Sequence, residues 1–289
     1  MFSVTETTIK RWADEGALKC QKTPGGHRKF DVKAVVEFAE ENKMVPSGTF
    51  SLGSGEEMGT TIEAAVLVRD FPLLANILMD KLLSSGSPNA HILLSYVYGH
   101  KVLLSEIYDH VVRPAMCQIG VRWATGEIGI NHEHRASAEI MAALARLQAD
   151  ALIKSPNGKT VLLACVGEEQ HEIGLRCASY LLEAEGWGIN YYGARTPVHA
   201  LVSAIAELRP SLVCVSISAY GRAEENENDL RALHDVVRSG NVSLVVGGSG
   251  ASSDLLEKGV CDAVVTSSAQ LLKLTAVPRT APAGGHRES

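Results

Sequence analysis

A chain of 289 residues with 46% apolar and 21% charged residues has room for two or three modest cores and an ordinary globular composition. It holds no run of 18 apolar residues, which excludes a membrane-spanning helix, and its first dozen residues, MFSVTETTIKRW, lack the charged start and apolar core of a secretory signal. The net charge of −6 is uneven: residues 1–33 carry +3, which leaves −9 on the remaining 256, so an anionic partner suits the head alone. Six cysteines (Cys20, Cys117, Cys165, Cys177, Cys214 and Cys261) are scattered without a C-x-x-C spacing. Cys165 and Cys214 fall inside apolar strands, where cysteine is usually a small buried hydrophobe, and the expected compartment is a reducing cytoplasm.

In chain order, residues 1–43 read as helix, basic turn-rich loop and helix. Ile9, Trp12 and Leu18 recur at roughly helical spacing before the loop KCQKTPGGHRKFD, and VKAVVEFAEENK is a second amphipathic helix. Residues 44–56, rich in Ser, Gly and Pro, read as a flexible linker. Residues 57–153 show helical periodicity almost throughout. The pattern predicts four helices near 58–70, 72–85, 97–121 and 131–153, with breaks at SSGSPN and ATGEIG. Asn131 is a suitable N-cap for the last of them, with Glu133 in its first turn.

Residues 159–275 alternate between short apolar runs and helical sequence. TVLLACV, GINYYG, LVCVSIS, SLVVGG and AVVT predict five strands of an open parallel sheet with helices on both faces. The last stretch, 276–289, reads as a disordered tail. Ligands of such sheets bind beyond the carboxyl ends of the strands, at the switch point of strand order. Three features fall at those ends: Glu169-x-His171-x-x-Gly174, Ser216-Ile217-Ser218 and Gly247-Gly248. The glycines leave room for a large ligand and the serines offer it hydroxyls.

His171, Gly174, Ser216, Ser218 and Gly247-Gly248 resemble the cobalamin-binding module with its Asp-x-His-x-x-Gly signature, here with Glu169 in the acid position. That resemblance implies an α/β Rossmann-like (flavodoxin-like) domain over 159–275. It makes His171 the lower axial ligand of cobalt, with a carboxylate on the other ring nitrogen to fix its tautomer. Trp123, followed after nine residues by Glu133-His134, resembles the CarH-type cobalamin photoreceptors, in which a four-helix bundle (here 57–153) caps the upper face of the corrin. By that resemblance Trp123 packs over the upper axial group, and Glu133 and His134 contact it.

The head resembles a MerR-family winged helix-turn-helix, truncated because only Met1-Phe2-Ser3 precede the recognition helix. Either translation starts upstream, or the head folds poorly and DNA binding is weakened. Thr7, Lys10 and Arg11 would face a major groove, and Lys22, His27, Arg28 and Lys29 would reach phosphates. The family's light-responsive members carry a histidine directly after the tryptophan, where this chain has Ala124.

The resemblance implies a cytoplasmic, light-responsive transcriptional repressor. It would bind adenosylcobalamin, or else methylcobalamin, and would assemble as a homotetramer on double-stranded DNA. Two alternatives stay open: a light-independent cobalamin sensor, and the corrinoid carrier protein of a methyltransferase. The scattered Ser, His and Asp residues show no nucleophile–base spacing, so an enzyme is not expected.

Overall fold

The computed structural model describes residues 6–22, 28–30, 38, 42, 56–84, 90–218, 223–240 and 242–276. They fall into two compact units, 1–63 and 64–289. In the first, helix α1 (Glu6–Asp14) precedes an antiparallel hairpin of β1 (Cys20–Lys22) and β2 (Arg28–Phe30), with Gln21 opposite Lys29. The chain leaves α1 through Gly16 at φ 75°, the left-handed geometry a helix stop favours. Trp12 packs on Phe38 with ring centroids 5.1 Å apart. Arg28 donates to both carboxylate oxygens of Asp14 at 2.6 and 2.9 Å, tying β2 to α1. Apart from Phe38 and Asn42, the predicted second helix lies outside the described residues, as do His27 and nearly all of the linker and tail.

Helix α2 (Glu56–Leu67) runs across the boundary between the units, and four longer or composite helices follow. These are α3 (Phe71–Leu83), α4 (Ala90–Gly99), the segment α5 (Leu104–Ile107) with a π-helical turn (Tyr108–Val112) and α6 (Arg113–Ala124), and α7 (Ile130–Asp150). Asp70 caps α3 by accepting from the Leu73 N–H at 3.1 Å. Helix α3 packs on the π-turn, α6 and α7, while α4 packs on α7. The apolar stripes meet in a core that includes Leu74, Leu78, Leu93, Leu94, Ile119, Ile140 and Leu144, each fully buried. Pro114 cannot donate to the carbonyl four residues back, and the helix widens into its π-turn just ahead of it.

Two helix boundaries differ from the sequence expectation. The predicted helix 97–121 is in fact two, because the chain breaks after Gly99 at Lys101, whose φ is 62°, and restarts at Leu104 with Glu106 accepting from the Leu103 N–H at 3.0 Å. Asn131 is not the N-cap of α7. Gly129 holds that place with extended backbone, and Asn131 already lies in the helix.

The five remaining strands, β3 (Thr160–Val166), β4 (Gly188–Thr196), β5 (Leu212–Ser216), β6 (Ser243–Gly247) and β7 (Ala263–Val265), form one sheet in the order β4-β3-β5-β6-β7. Every pairing is parallel. Helices α8 (Ile173–Ala184), α9 (Val198–Leu208), α10 (Ala223–Ser239), α11 (Asp254–Glu257) and α12 (Ser268–Ala276) follow the strands in turn.

Period-2 alternation sorts the strand residues between two cores. Leu162, Ala164, Val213, Val215, Leu244 and Val246 pack with residues of α9 and α10, and Val161, Leu163, Cys165, Leu212, Cys214 and Val245 with residues of α8 and α12. Register aligns Cys165, Ser216 and Gly247 in one row across the carboxyl ends. Strand order reverses at β3, between β4 and β5, and that is where a ligand crevice opens in such a sheet. No helix of the described residues is long and apolar enough to cross a membrane.

Candidate functional site

The loop after β3 turns at Gly167 (φ 59°). It is pinned to β4, because the Arg195 N–H donates to the Glu169 carbonyl at 2.9 Å. Within this loop Glu169 is the organising group. Its Oε1 accepts from both the backbone N–H and the ring Nδ1 of His171, each at 2.7 Å, and its Oε2 accepts from the Ser218 N–H at 2.6 Å. Burial pushes the Glu169 pKa up, but hydrogen bonds from Ser218 and from the backbone and ring of His171 outweigh it, so the group sits below the usual carboxylate range. An ionised Glu169 accepts from a protonated Nδ1, the tautomer of the neutral ring whose lone pair lies on Nε2. The Glu169 side chain is 3% exposed and that of His171 67%, so the carboxylate is a fixed anchor and the imidazole is presented outward.

His171 lines a cavity of about 880 Å³ between the sheet's carboxyl edge and the helices before it. Gly174, Ser216, Ser218, Gly247 and Gly248 share that wall with it. From the helical side come Trp123 at the end of α6 and Glu133 and His134 in the first turn of α7. Nine of the ten residues read from the sequence as cofactor-binding therefore line one cavity, and the tenth, Glu169, stands behind His171. Glu133 is bracketed by its neighbours: Ser137 Oγ donates to its Oε1 at 2.6 Å, and His134 Nδ1 lies 2.7 Å from its Oε2. Neither Ala124 nor His132 belongs to the cavity wall.

The two glycine features do different work. A Cβ on Gly174 would meet nothing within 4 Å, and the same holds for Gly120 on the opposite helical wall. Both leave open space for a bulky ligand. Gly248, by contrast, has φ 101°, and a Cβ there would stand 2.1 Å from the Ile217 carbonyl oxygen. Its role is backbone conformation and close strand contact.

Sequence reading missed several wall residues. Ser137, Ala138 and Met141 continue a stripe of α7 that His134 begins, and Arg113, Met116, Cys117 and Gly120 form one stripe of α6. The i, i+3, i+4, i+7 spacing was legible, but only once the neighbouring face was known. Thr266, Ser267 and Ser268 after β7 and Tyr108 in the π-turn carry no such signal. The helical wall is tied to the sheet here, since Asp109 accepts from the Ser268 and Ala269 N–H groups at 2.7 and 3.1 Å and Arg113 donates to the Thr266 carbonyl at 2.6 Å.

No three His, Cys, Asp or Glu side chains of the described residues gather as a metal cage. A single outward imidazole in a wide cavity suits a metal that carries its own equatorial ligands, because a bare ion needs several protein donors. The carboxylate on its other ring nitrogen is the usual support of a metal-bound histidine. On donor chemistry and open glycine space, the residues present fit a corrinoid, which His171 would hold.

Comparison with known proteins agrees. The family model described as B12 binding domain matches residues 159–272, and a second model with the same description matches residues 91–148. The chain is 28% identical over 267 residues to the HTH-type transcriptional repressor CarH of Myxococcus xanthus, covering 88% of this chain and 87% of that protein. It is 35% identical over 148 residues to the HTH-type transcriptional repressor CarA of the same organism, covering 51% and 48%. In fold it resembles the monomethylamine corrinoid protein of Methanosarcina barkeri, with a TM-score of 0.58 and 19% identity over 71% of this chain and 97% of that one. Residues 159–272 thus match the model of a B12 binding domain, and the chain resembles the CarH repressor along nearly nine tenths of its length.

Proposed function

We propose that this protein is a transcriptional repressor that binds an alkylcobalamin between its helical layer and its sheet and responds to light. The observation that carries the reading is that His171, backed by Glu169, and the Trp123, Glu133 and His134 set line the same cavity from opposite walls. When bound, the cofactor supplies a light-labile cobalt–carbon bond. His171 Nε2 would hold the cobalt, with Glu169 keeping the ring oriented. Trp123, Glu133 and His134, on the helical wall of the cavity, would contact the alkyl group.

DNA binding belongs to the head, a MerR-type unit. Thr7, Lys10 and Arg11 are exposed on α1, and the hairpin is braced by the Arg28–Asp14 pair. Assembly into a tetramer would hold several weak heads on one particle and raise DNA affinity through effective concentration. Loss of the upper group would loosen the helical wall, break the assembly and release DNA.

A second reading, light-independent cobalamin sensing, has one observation in its favour. The residue after Trp123 is Ala124, which offers no metal donor and does not line the cavity. Size-exclusion chromatography of protein loaded with adenosylcobalamin in the dark and rerun after green light tests both. A large dark species that shrinks on illumination, with a changed corrin spectrum, supports the photoreceptor. Bound cofactor with an unchanged size favours the light-independent sensor or a carrier. An absence of binding, with His171→Ala behaving identically, removes the cofactor reading.

A further inference from the structure

Strand β4, at the sheet edge beside the switch point, slips by one residue along β3. Leu163 lies opposite Tyr191 but Ala164 opposite Gly193, which leaves Tyr192 as the extra residue of a bulge. Bulges of this kind re-aim side chains beside functional sites. Here the side chain is Tyr191, whose hydroxyl donates to Glu172 Oε2 at 2.7 Å. Glu172 directly follows His171 and holds the N-cap place of α8.

Two further residues secure the pair. Arg176, one turn along α8, sets its guanidinium 3.5 Å from the centre of the Tyr191 ring, a cation–π contact. Gly193, at φ 77°, supplies the room, since a Cβ there would stand 3.0 Å from Glu172 Oε2 and 3.2 Å from Tyr191 Cε1. Burial first, and the bond to Glu172 second, push the phenol's pKa far up, so the hydroxyl keeps its proton and remains a donor.

His171 is thereby held on both sides. Glu169 takes its N–H and its ring Nδ1, and the Cys165 thiol donates to its carbonyl at 3.8 Å. On the other side the Glu172–Tyr191 bond ties the next residue to β4. Neither Tyr191 nor Arg176 lines the cavity, so their hold reaches it through the loop and not through contact.

We infer that Tyr191 is a positioning residue for His171: by holding Glu172 on β4 it fixes where α8 begins, and with it where the imidazole stands. The inference rests on the cobalamin reading above.

The test is Tyr191→Phe, which keeps the ring under Arg176 and removes the hydroxyl, made in both the wild-type and the His171→Ala backgrounds. Each protein is checked for folding by circular dichroism and titrated in the dark with adenosylcobalamin, with affinity and the absorbance of the bound corrin read together. In the wild-type background affinity should fall about tenfold, the scale of one hydrogen bond, and the bound spectrum should move toward that of His171→Ala. In the His171→Ala background the hydroxyl has no imidazole to position, so the same change should alter affinity by less than about twofold. Equal losses in both backgrounds overturn the inference, because the residue then supports the domain and not the histidine. Unaltered affinity in the wild-type background overturns it too. If Tyr191→Phe fails to fold, Glu172 reads the same bond from its other end. Glu172→Gln keeps an oxygen for the phenol and should stay within about twofold of wild type, whereas Glu172→Leu should match the tenfold loss; identical behaviour of the two overturns the inference. Wild-type protein that takes up no cobalamin, or His171→Ala with wild-type affinity and spectrum, overturns the functional reading instead, and this inference with it.

Discussion

Glu169 and His171 are joined twice, since one carboxylate oxygen receives both the backbone N–H and the ring nitrogen of the histidine at 2.7 Å. The loop and the imidazole are thereby oriented by a single buried group. The substitution Glu169→Gln puts a neutral amide where a charged acceptor stood. Loss of such a support typically weakens metal ligation by about 10- to 100-fold. Titration of this variant with cobalamin should show a fall in that range, and an affinity within about twofold of wild type would refute the anchoring role.

The same carboxylate sets an acid dependence. Its pKa is depressed in the folded protein. Its stabilising contribution is therefore complete above the unfolded value of about 4.3 and is lost as pH falls through the lower folded value. Urea denaturation should show a wild-type advantage over Glu169→Gln at neutral pH that shrinks below about pH 4.3. A gap that widened with acid would contradict this assignment.

The two glycines separate packing from binding. Gly174 sits in α8 with no atom within 4 Å of an added Cβ, so Gly174→Ala should stabilise the cofactor-free protein by about 0.4–1 kcal/mol through the unfolded chain. The larger Gly174→Leu should fill cavity space, blocking cobalamin while leaving the circular dichroism spectrum intact. Gly248→Ala must instead fit a Cβ against the Ile217 carbonyl at φ 101°. It should lower stability whether or not cofactor is present.

Trp123 is 45% exposed in the cavity wall. Surface truncations of this kind usually change stability by less than about 0.5 kcal/mol. Trp123→Ala should melt with the wild type when cofactor-free, yet lose most of the extra thermal stability that bound alkylcobalamin confers. Equal ligand-induced shifts in both proteins would show that the indole does not touch the upper face.

Asp109 reaches across 159 residues of sequence to cap α12. Asp109→Ala exposes two helix N–H groups, a loss of about 1 kcal/mol for a cap of this type. Denaturant midpoints of the cofactor-free proteins measure it. Arg113→Met should cost less on top of Asp109→Ala than alone, because both grip the same turn.

The sheet was legible almost residue by residue. TVLLACV is β3 from its first residue to its last, because a strand buried on both faces is a plain apolar run bounded by turn residues. The strand-end motifs followed from that reading, since register carries Cys165, Ser216 and Gly247 to one edge. The helical half was harder. AHILLSYVYG is apolar on most sides and was not resolved as a helix of its own. The break that follows it is made by backbone at Lys101 and by the Glu106 contact, neither of which has a sequence signature. Asn131 looked like a cap by residue type, but Gly129 had already turned the chain. Tyr108 could not be singled out, because its place in the cavity wall is a property of the packing around it.

The grip of Asp109 and Arg113 on the turn after β7 has a mechanical corollary. The two residues stand at the root of α6, and Trp123 stands near its tip, so the 12-residue helix is an arm of about 18 Å anchored at one end to the sheet. A small thrust against the indole acts with that whole length as its moment. The torque arrives at the π-turn, where the helix is already widened and its hydrogen bonding already irregular. Swinging is therefore easier for this element than sliding, and the groups carried furthest by such a swing are those beside Trp123 on the loop to α7.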